Sequence, residues 1–150
     1  LVNDLNQKVM DNAKGEKFIT MFIGVFEKDS RELSYINCGH NPPVFYNNGK
    51  VEELKQGCPG LGMLDDLPPP NIGKVKVGPK ATLVCYTDGL VEVENNAKLE
   101  YGTERIGLAL ESSLTNSMDS LNKHFIDDLE KFKEDQPYID DIAILSCFFA

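Results

Sequence analysis

Ala81-Thr82-Leu83-Val84-Cys85-Tyr86-Thr87-Asp88-Gly89 is an apolar, β-rich run that stops on an aspartate and a glycine. Residues 81–86 read as a strand buried on both faces. Asp-Gly is a turn signal, so Asp88 falls at the strand's end. A second such junction closes the chain: Asp140-Asp141 immediately precedes the apolar run Ile142 to Phe149, which reads as the last strand. An unpaired carboxylate beside a buried run is costly, and no basic residue stands next to either junction. A hard divalent cation with oxygen ligands would satisfy both. A plain turn at Asp88 and a solvated strand start at Asp140 would explain the same letters. Spacing alone does not bring Asp88 to Asp140.

Working outward, Phe18 to Phe26 reads as a buried strand and Leu33 to Asn37 as its returning partner across the turn at Lys28-Asp29-Ser30-Arg31. Gly39-His40-Asn41-Pro42-Pro43 breaks the pattern. Val44-Phe45-Tyr46 and Val51 to Leu54 flank the tight turn Asn47-Asn48-Gly49, which predicts a hairpin. Residues 56–71, rich in glycine and proline, predict a long irregular loop. Ile72 to Val77 alternates as a strand. Leu1, Leu5 and Val9 recur at helical spacing, with an end near Gly15. Thr103 is the expected cap of a helix carrying Ile106, Leu110 and Leu114. Ser117 is the expected cap of another, with Met118, Leu121, Phe125, Leu129 and Phe132 on one face. The order predicts an α+β fold, an antiparallel sheet covered by helices on one face.

The 150 residues suit one compact domain, and 41% apolar against 26% charged residues is ordinary for a chain that buries a core. A net charge of −9 argues against nucleic acid or an anionic membrane as partner, because both need a basic face. No apolar run spans a bilayer, and Leu1-Val2-Asn3-Asp4 does not read as a signal peptide. Leu1 in place of an initiator methionine fits a chain taken from a longer polypeptide. Cys38, Cys58, Cys85 and Cys147 show no CxxC spacing and no histidine at ligand spacing, so all read as reduced, mostly buried thiols of a reducing, cytoplasmic compartment. His124 reads as an exposed or boundary helix residue, and His40 as a turn residue that ties down backbone. No Walker or dinucleotide loop occurs.

The motifs, in order, resemble a known family. Phe18-Ile19-Thr20-Met21-Phe22 resembles its "F-V-T-L-F" strand, and Asn37-Cys38-Gly39-His40-Asn41-Pro42-Pro43 its "N-A-G-H-N-P-P" turn. Gly60-Leu61-Gly62 resembles "G-x-x-L-G", and residues 83–92 resemble "L-L-L-Y-T-D-G-V-x-E". Tyr101-Gly102 with Glu104-Arg105-Ile106 resembles "F-G-x-E-R-L", and residues 140–145 resemble "D-D-I-T-L-L". Single motifs are weak, but their shared order is specific. The family is the SpoIIE/RsbU branch of the PPM (PP2C-like) protein phosphatases.

The resemblance implies an α-β-β-α sandwich holding two Mn²⁺ or Mg²⁺ ions. The ions activate a water against phosphoserine or phosphothreonine, so no side chain is the nucleophile. It implies Asp88 and Asp140 as metal ligands, with Asp141 an outer partner or alternative ligand. His40 and Asn41 match a structural turn. The implied substrate is a phosphorylated STAS-type anti-sigma-factor antagonist, and the implied parent carries an N-terminal sensor or receiver domain. The family's "G-D-x-x-D" and "G-D-V-x-G-H-G" segments have no counterpart in residues 1–150. The chain is therefore expected to be a partial SpoIIE-type phosphatase domain with an incomplete metal site and little activity of its own. Gly78-Pro79-Lys80 replaces the usual "G-D", and Ala143 stands where threonine is common. Open sheet edges are expected to favour a homodimer or rearranged packing, through the first helix. The alternative is a non-catalytic module that binds a signalling partner without turning it over.

Overall fold

The computed structural model describes residues 1–13, 16–112 and 117–150. It is an α+β, PP2C-like fold with two four-stranded sheets, and the chain divides into two compact units. The first comprises Leu1–Pro42 and Leu54–Val77, the second Pro43–Glu53 and Gly78–Ala150.

The first unit is built around a hairpin of β1 (Met21–Glu27) and β2 (Glu32–Cys38), in antiparallel register from Met21↔Cys38 to Glu27↔Glu32. The other edge of β2 is shared. Its first half pairs antiparallel with β6 (Gly73–Lys76), and its last residues pair parallel with β5 (Gly57–Cys58). Residues 56–71 are thus not wholly irregular, because two of them join the sheet. Alternation could not reveal so short a strand; the bond from Asn37 N to Gln56 O ties it to β2, and the bond from Asn71 N to Gly57 O holds the following loop against it. The expected strand from Phe18 starts later, at Met21; Phe18 and Ile19 are exposed.

Helix α1 (Val2–Ala13) docks through Val2 and Asn6. Asn6, only 3% exposed, holds the helix to the glycine loop. Its Oδ1 accepts from Gly62 N at 2.7 Å, and its Nδ2 donates to Leu64 O at 3.0 Å and Asp65 O at 3.3 Å. Gly62 lies at φ +86°, and a Cβ there would meet Val9 Cγ1 at 2.6 Å, so glycine lets the loop touch the helix. The predicted end at Gly15 lies outside the described residues.

In the second unit, β3 (Val44–Asn47) and β4 (Lys50–Glu53) form the hairpin expected from Asn48-Gly49. The strand order is β4-β3-β7-β8, with β7 (Ala81–Tyr86) central and β8 (Ile144–Phe149) at the edge. Strand β7 pairs at both edges, and all its residues except half-buried Cys85 are buried, Thr82 included, which fits its mostly apolar sequence. Helix α2 (Asp88–Val91) follows at once, then α3 (Gly102–Ser112) and α4 (Met118–Lys133).

Helix α3 opens at Gly102, where φ is +73°, one residue before the cap expected at Thr103. It buries Ile106 and Leu110; Leu114 lies outside the described residues. Ser117 caps α4 as expected, its side chain accepting from Ser120 N. Leu121, Phe125 and Leu129 are buried at four-residue spacing and are worth roughly 1.5–3 kcal/mol each. Truncating Phe125, fully buried in this core, would cost about 3–5 kcal/mol. Tyr101 and Arg105 lock α3 to α4: the phenol donates to Asp128 at 2.9 Å, and the guanidinium lies 4.4 Å from the Phe132 ring centre. No helix among the described residues is long and apolar enough to cross a membrane.

Candidate metal centre

The antiparallel ladder between β7 and β8 ends with Tyr86 opposite Ile144. The residues after β7 and those before β8 therefore leave the sheet at the same end. Thr87 fastens them. Its N–H donates to Ala143 O at 3.1 Å, its hydroxyl donates to Asp141 O at 2.9 Å, and the same oxygen accepts from Ala143 N at 2.9 Å. The backbone of Thr87 is extended, and the chain turns into the single helical turn α2 at Asp88.

Gly89 lets the two segments close. A Cβ on it would stand 2.5 Å from Asp141 O, closer than a side chain tolerates against backbone, and a tight 3.2 Å from the Asp140 carbonyl carbon. The "T-D-G" motif thus has a physical meaning at each position: Thr87 clasps, Asp88 presents a carboxylate, and Gly89 seats the opposing backbone.

Asp88, Asp140 and Asp141 are all exposed at this end. Asp88 Oδ1 accepts from Gly89 N at 3.1 Å, and Asp140 Oδ1 accepts from Asp141 N at 2.7 Å. Each of these two carboxylates is aimed by a neighbouring backbone N–H. A small cavity of about 140 Å³ opens beside them, lined by Gly89, Glu92, Val93, Ile139 and Asp140. Glu92 was not singled out by the sequence reading. The available signal was its four-residue spacing from Asp88, which puts both on one helical face; Glu92 N donates to Asp88 O at 3.0 Å. Thr87 was also missed, because only the fold reveals that its hydroxyl serves both strand ends.

No ion pair among the described residues engages Asp88, Glu92, Asp140 or Asp141. Carboxylate oxygens without a cationic side chain suit a hard divalent ion in chemistry. Their number does not complete a centre: the described residues contain no group of three or more His, Cys, Asp or Glu placed to hold a metal. These residues fit one edge of a metal site.

His40 sits in a turn organised by buried Asn37, whose Oδ1 accepts from His40 N at 2.8 Å and whose Nδ2 donates to His40 O at 2.9 Å. The His40 ring lies 3.5 Å from Thr20 Oγ1. His124 is exposed on α4. All four cysteines are free thiols; only Cys38 is buried, the others being half-buried.

Residues 1–149 match the Stage II sporulation protein E (SpoIIE) family. The chain is 30% identical over 139 residues to Protein IcfG of Synechocystis, covering 87% of this chain and 20% of that protein. Among solved structures it is similar to the SiaA-PP2C domain of Pseudomonas aeruginosa, with a TM-score of 0.84 at 19% identity, over 99% of this chain and 59% of that one. The RsbU and RsbW domains of a Mycobacterium tuberculosis protein give a TM-score of 0.73 at 22% identity, over 93% and 38%. The phosphatase domain of SpoIIE from Bacillus subtilis gives 0.67 at 10% identity, over 99% and 73%. The chain thus spans a fifth of its curated relative and about three-fifths of the SiaA domain. The family match over nearly every residue, on a PP2C-like fold, places this chain in the SpoIIE family of PP2C-like phosphatase domains.

Proposed function

We propose that the chain is part of a divalent-metal-dependent Ser/Thr phosphoprotein phosphatase whose substrate is a phosphorylated STAS-type anti-sigma-factor antagonist. The observation that carries this reading is the β7–β8 register, which delivers Asp88 and Asp140 to one sheet end under the Thr87 clasp. Asp88 and Asp140 would hold Mn²⁺ or Mg²⁺, with Asp141 and Glu92 as neighbouring oxygen donors. Two such ions, when bound, acidify a water and neutralise charge on the phosphoryl group. The chain's own residues orient the carboxylates: Gly89 N fixes Asp88, Asp141 N fixes Asp140, and Thr87 fixes the distance between their backbones. The donor count supports placing the remaining carboxylates in an acidic "G-D" segment of the parent polypeptide, outside residues 1–150. A neighbour that joins RsbU and RsbW domains in one protein supports a partner-switching role. A cytoplasmic setting and a sensor or receiver domain in the parent belong to the same proposal. A homodimer formed through α1 remains part of this proposal.

The test is Mn²⁺-dependent release of phosphate from a phosphoserine STAS protein. It compares the 150-residue chain, a polypeptide that also carries the acidic segment, and Asp88→Asn and Asp140→Asn in the latter. Activity confined to the longer form and lost in both variants is the expected result. The alternative reading is a module that binds a signalling partner without turnover. Tight partner binding with no hydrolysis in any form would establish that reading instead.

A further inference from the structure

Cys38 and Cys58 are ladder partners in the parallel pairing of β2 with β5, and their sulfurs lie 3.6 Å apart. Adjacent strands run about 4.8 Å apart, within the ~4.4–6.8 Å Cα separation that a disulfide spans. The backbones here are held unusually close. A Cβ on Gly57 would fall 1.7 Å from Asn37 O, and one on Gly39 would fall 2.8 Å from Gly60 N. Asn37 N donates to Gln56 O at 2.8 Å, just before the pair. The two thiols are thus in contact and aligned by main chain, so joining them needs no rearrangement of the strands.

We propose that Cys38 and Cys58 are a redox modification site, closing to a reversible disulfide when a hydroperoxide oxidises the protein. Cys58 is half-buried and Cys38 wholly buried, so the oxidant meets Cys58 first. With hydrogen peroxide, the Cys58 thiol sulfur attacks one peroxide oxygen and breaks the O–O bond, giving a sulfenic acid, while the other oxygen leaves with the thiol proton as water. The Cys38 sulfur then attacks the Cys58 sulfur and gives up its proton, and the sulfenic hydroxyl leaves as a second water. The two thiols supply the two electrons that reduce the peroxide. Burial, with the neighbouring Cys58, pushes the Cys38 thiol up to about 12, which suits it to resolve rather than to start the reaction. Contact between the sulfurs offsets its low ionisation. A small dithiol reverses the bond by exchange. Cys85 and Cys147 sit in the other sheet and take no part. The bond would fasten the end of β2 to the loop that continues to Gly60-Leu61-Gly62, the segment gripped by Asn6.

The experiment treats the intact wild-type protein with hydrogen peroxide, alkylates it under denaturing conditions and maps the peptides by mass. The expected product links the Cys38 and Cys58 peptides, loses the link on dithiothreitol treatment, and shows slower amide exchange over residues 58–64. Cys58→Ser should leave Cys38 fully alkylated after the same treatment. Cys38→Ser should drive Cys58 on to sulfinic acid. A wild-type protein in which Cys58 reaches sulfinic acid while Cys38 stays alkylatable would overturn the proposal. So would a Cys58 linked to Cys85 or Cys147. The decisive reading is on wild-type protein and needs no substitution to fold.

Discussion

Replacing Thr87 by valine keeps the side chain's size and removes its hydroxyl. That hydroxyl makes two bonds of 2.9 Å, one to Asp141 O and one from Ala143 N. A hydrogen bond contributes about 0.5–1.5 kcal/mol net, and both partners lie on exposed residues where water can replace them, so the low half of that range applies to each. Thr87→Val should therefore destabilise the protein by about 1–2 kcal/mol in urea unfolding, while Thr87→Ser should stay within about 0.5 kcal/mol of wild type. The larger effect should fall on the site. Thr87 ties the backbone of Asp141 to the chain that leads into Asp88, so its loss frees the Asp140 loop to move relative to α2. Outer partners of metal ligands typically cost about 10–100-fold in affinity or activity when removed. Isothermal titration of the intact protein with Mn²⁺ should show a loss of that size for valine and near-recovery for serine. Equal stability and equal Mn²⁺ affinity in wild type and Thr87→Val would refute the clasp.

Gly89→Ala forces a Cβ to within 2.5 Å of Asp141 O, a backbone atom that must move; urea melts should show a loss of about 1–3 kcal/mol, and under the proposed function phosphatase turnover of the longer polypeptide should fall with it. Asn6→Ala strips the acceptor from the buried Gly62 N–H, which costs about 1–3 kcal/mol for an unsatisfied donor. Asn12→Ala, which removes only an exposed bond to Lys8 O within the same helix, is the control and should be near neutral in the same melt. At high pH the phenol of Tyr86 matters. Burial, and then Glu53, raise it from an ordinary 10 to about 12, so the folded chain holds this proton more tightly than the unfolded one. The stability this confers is complete below pH 10 and is lost as pH climbs through about 12. Tyr86→Phe should flatten that arm of the stability profile.

Period and turn chemistry made much of the second unit legible. The strand over 81–86 occupies those residues, because a short, mostly apolar, β-rich run bounded by turn residues is what a buried strand requires. The Asn48-Gly49 hairpin and the Ser117 cap follow from chemistry local to a few residues. Non-local arrangements were not legible. β5 owes its existence to the edge of β2, and two residues carry no periodicity of their own. The exposed Phe18 and Ile19 have the composition of a strand but lie ahead of the β1–β2 ladder. Asp88 and Asp140 were visible as carboxylates at strand ends, and their arrival at the same end of the sheet rests on a register that no single segment encodes. Thr87 was hidden for the same reason: the partners of its hydroxyl come from tertiary structure.

That register also decides where the chain can change length. The turn at Asn48-Gly49 lies beyond Asn47 of β3, and Tyr46 of β3 faces Thr82, so it sits at the end of β7 remote from Asp88. Extra residues there would leave the carboxylates in place. An insertion within β8 would not. One added residue turns the pleat over from that point on. Two restore the pleat, but either the residues after them or the Asp140 side must then shift about 7 Å along the ladder. Loop-grafting or domain-insertion efforts on this scaffold should therefore succeed at the β3–β4 turn and fail between Ile144 and Phe149.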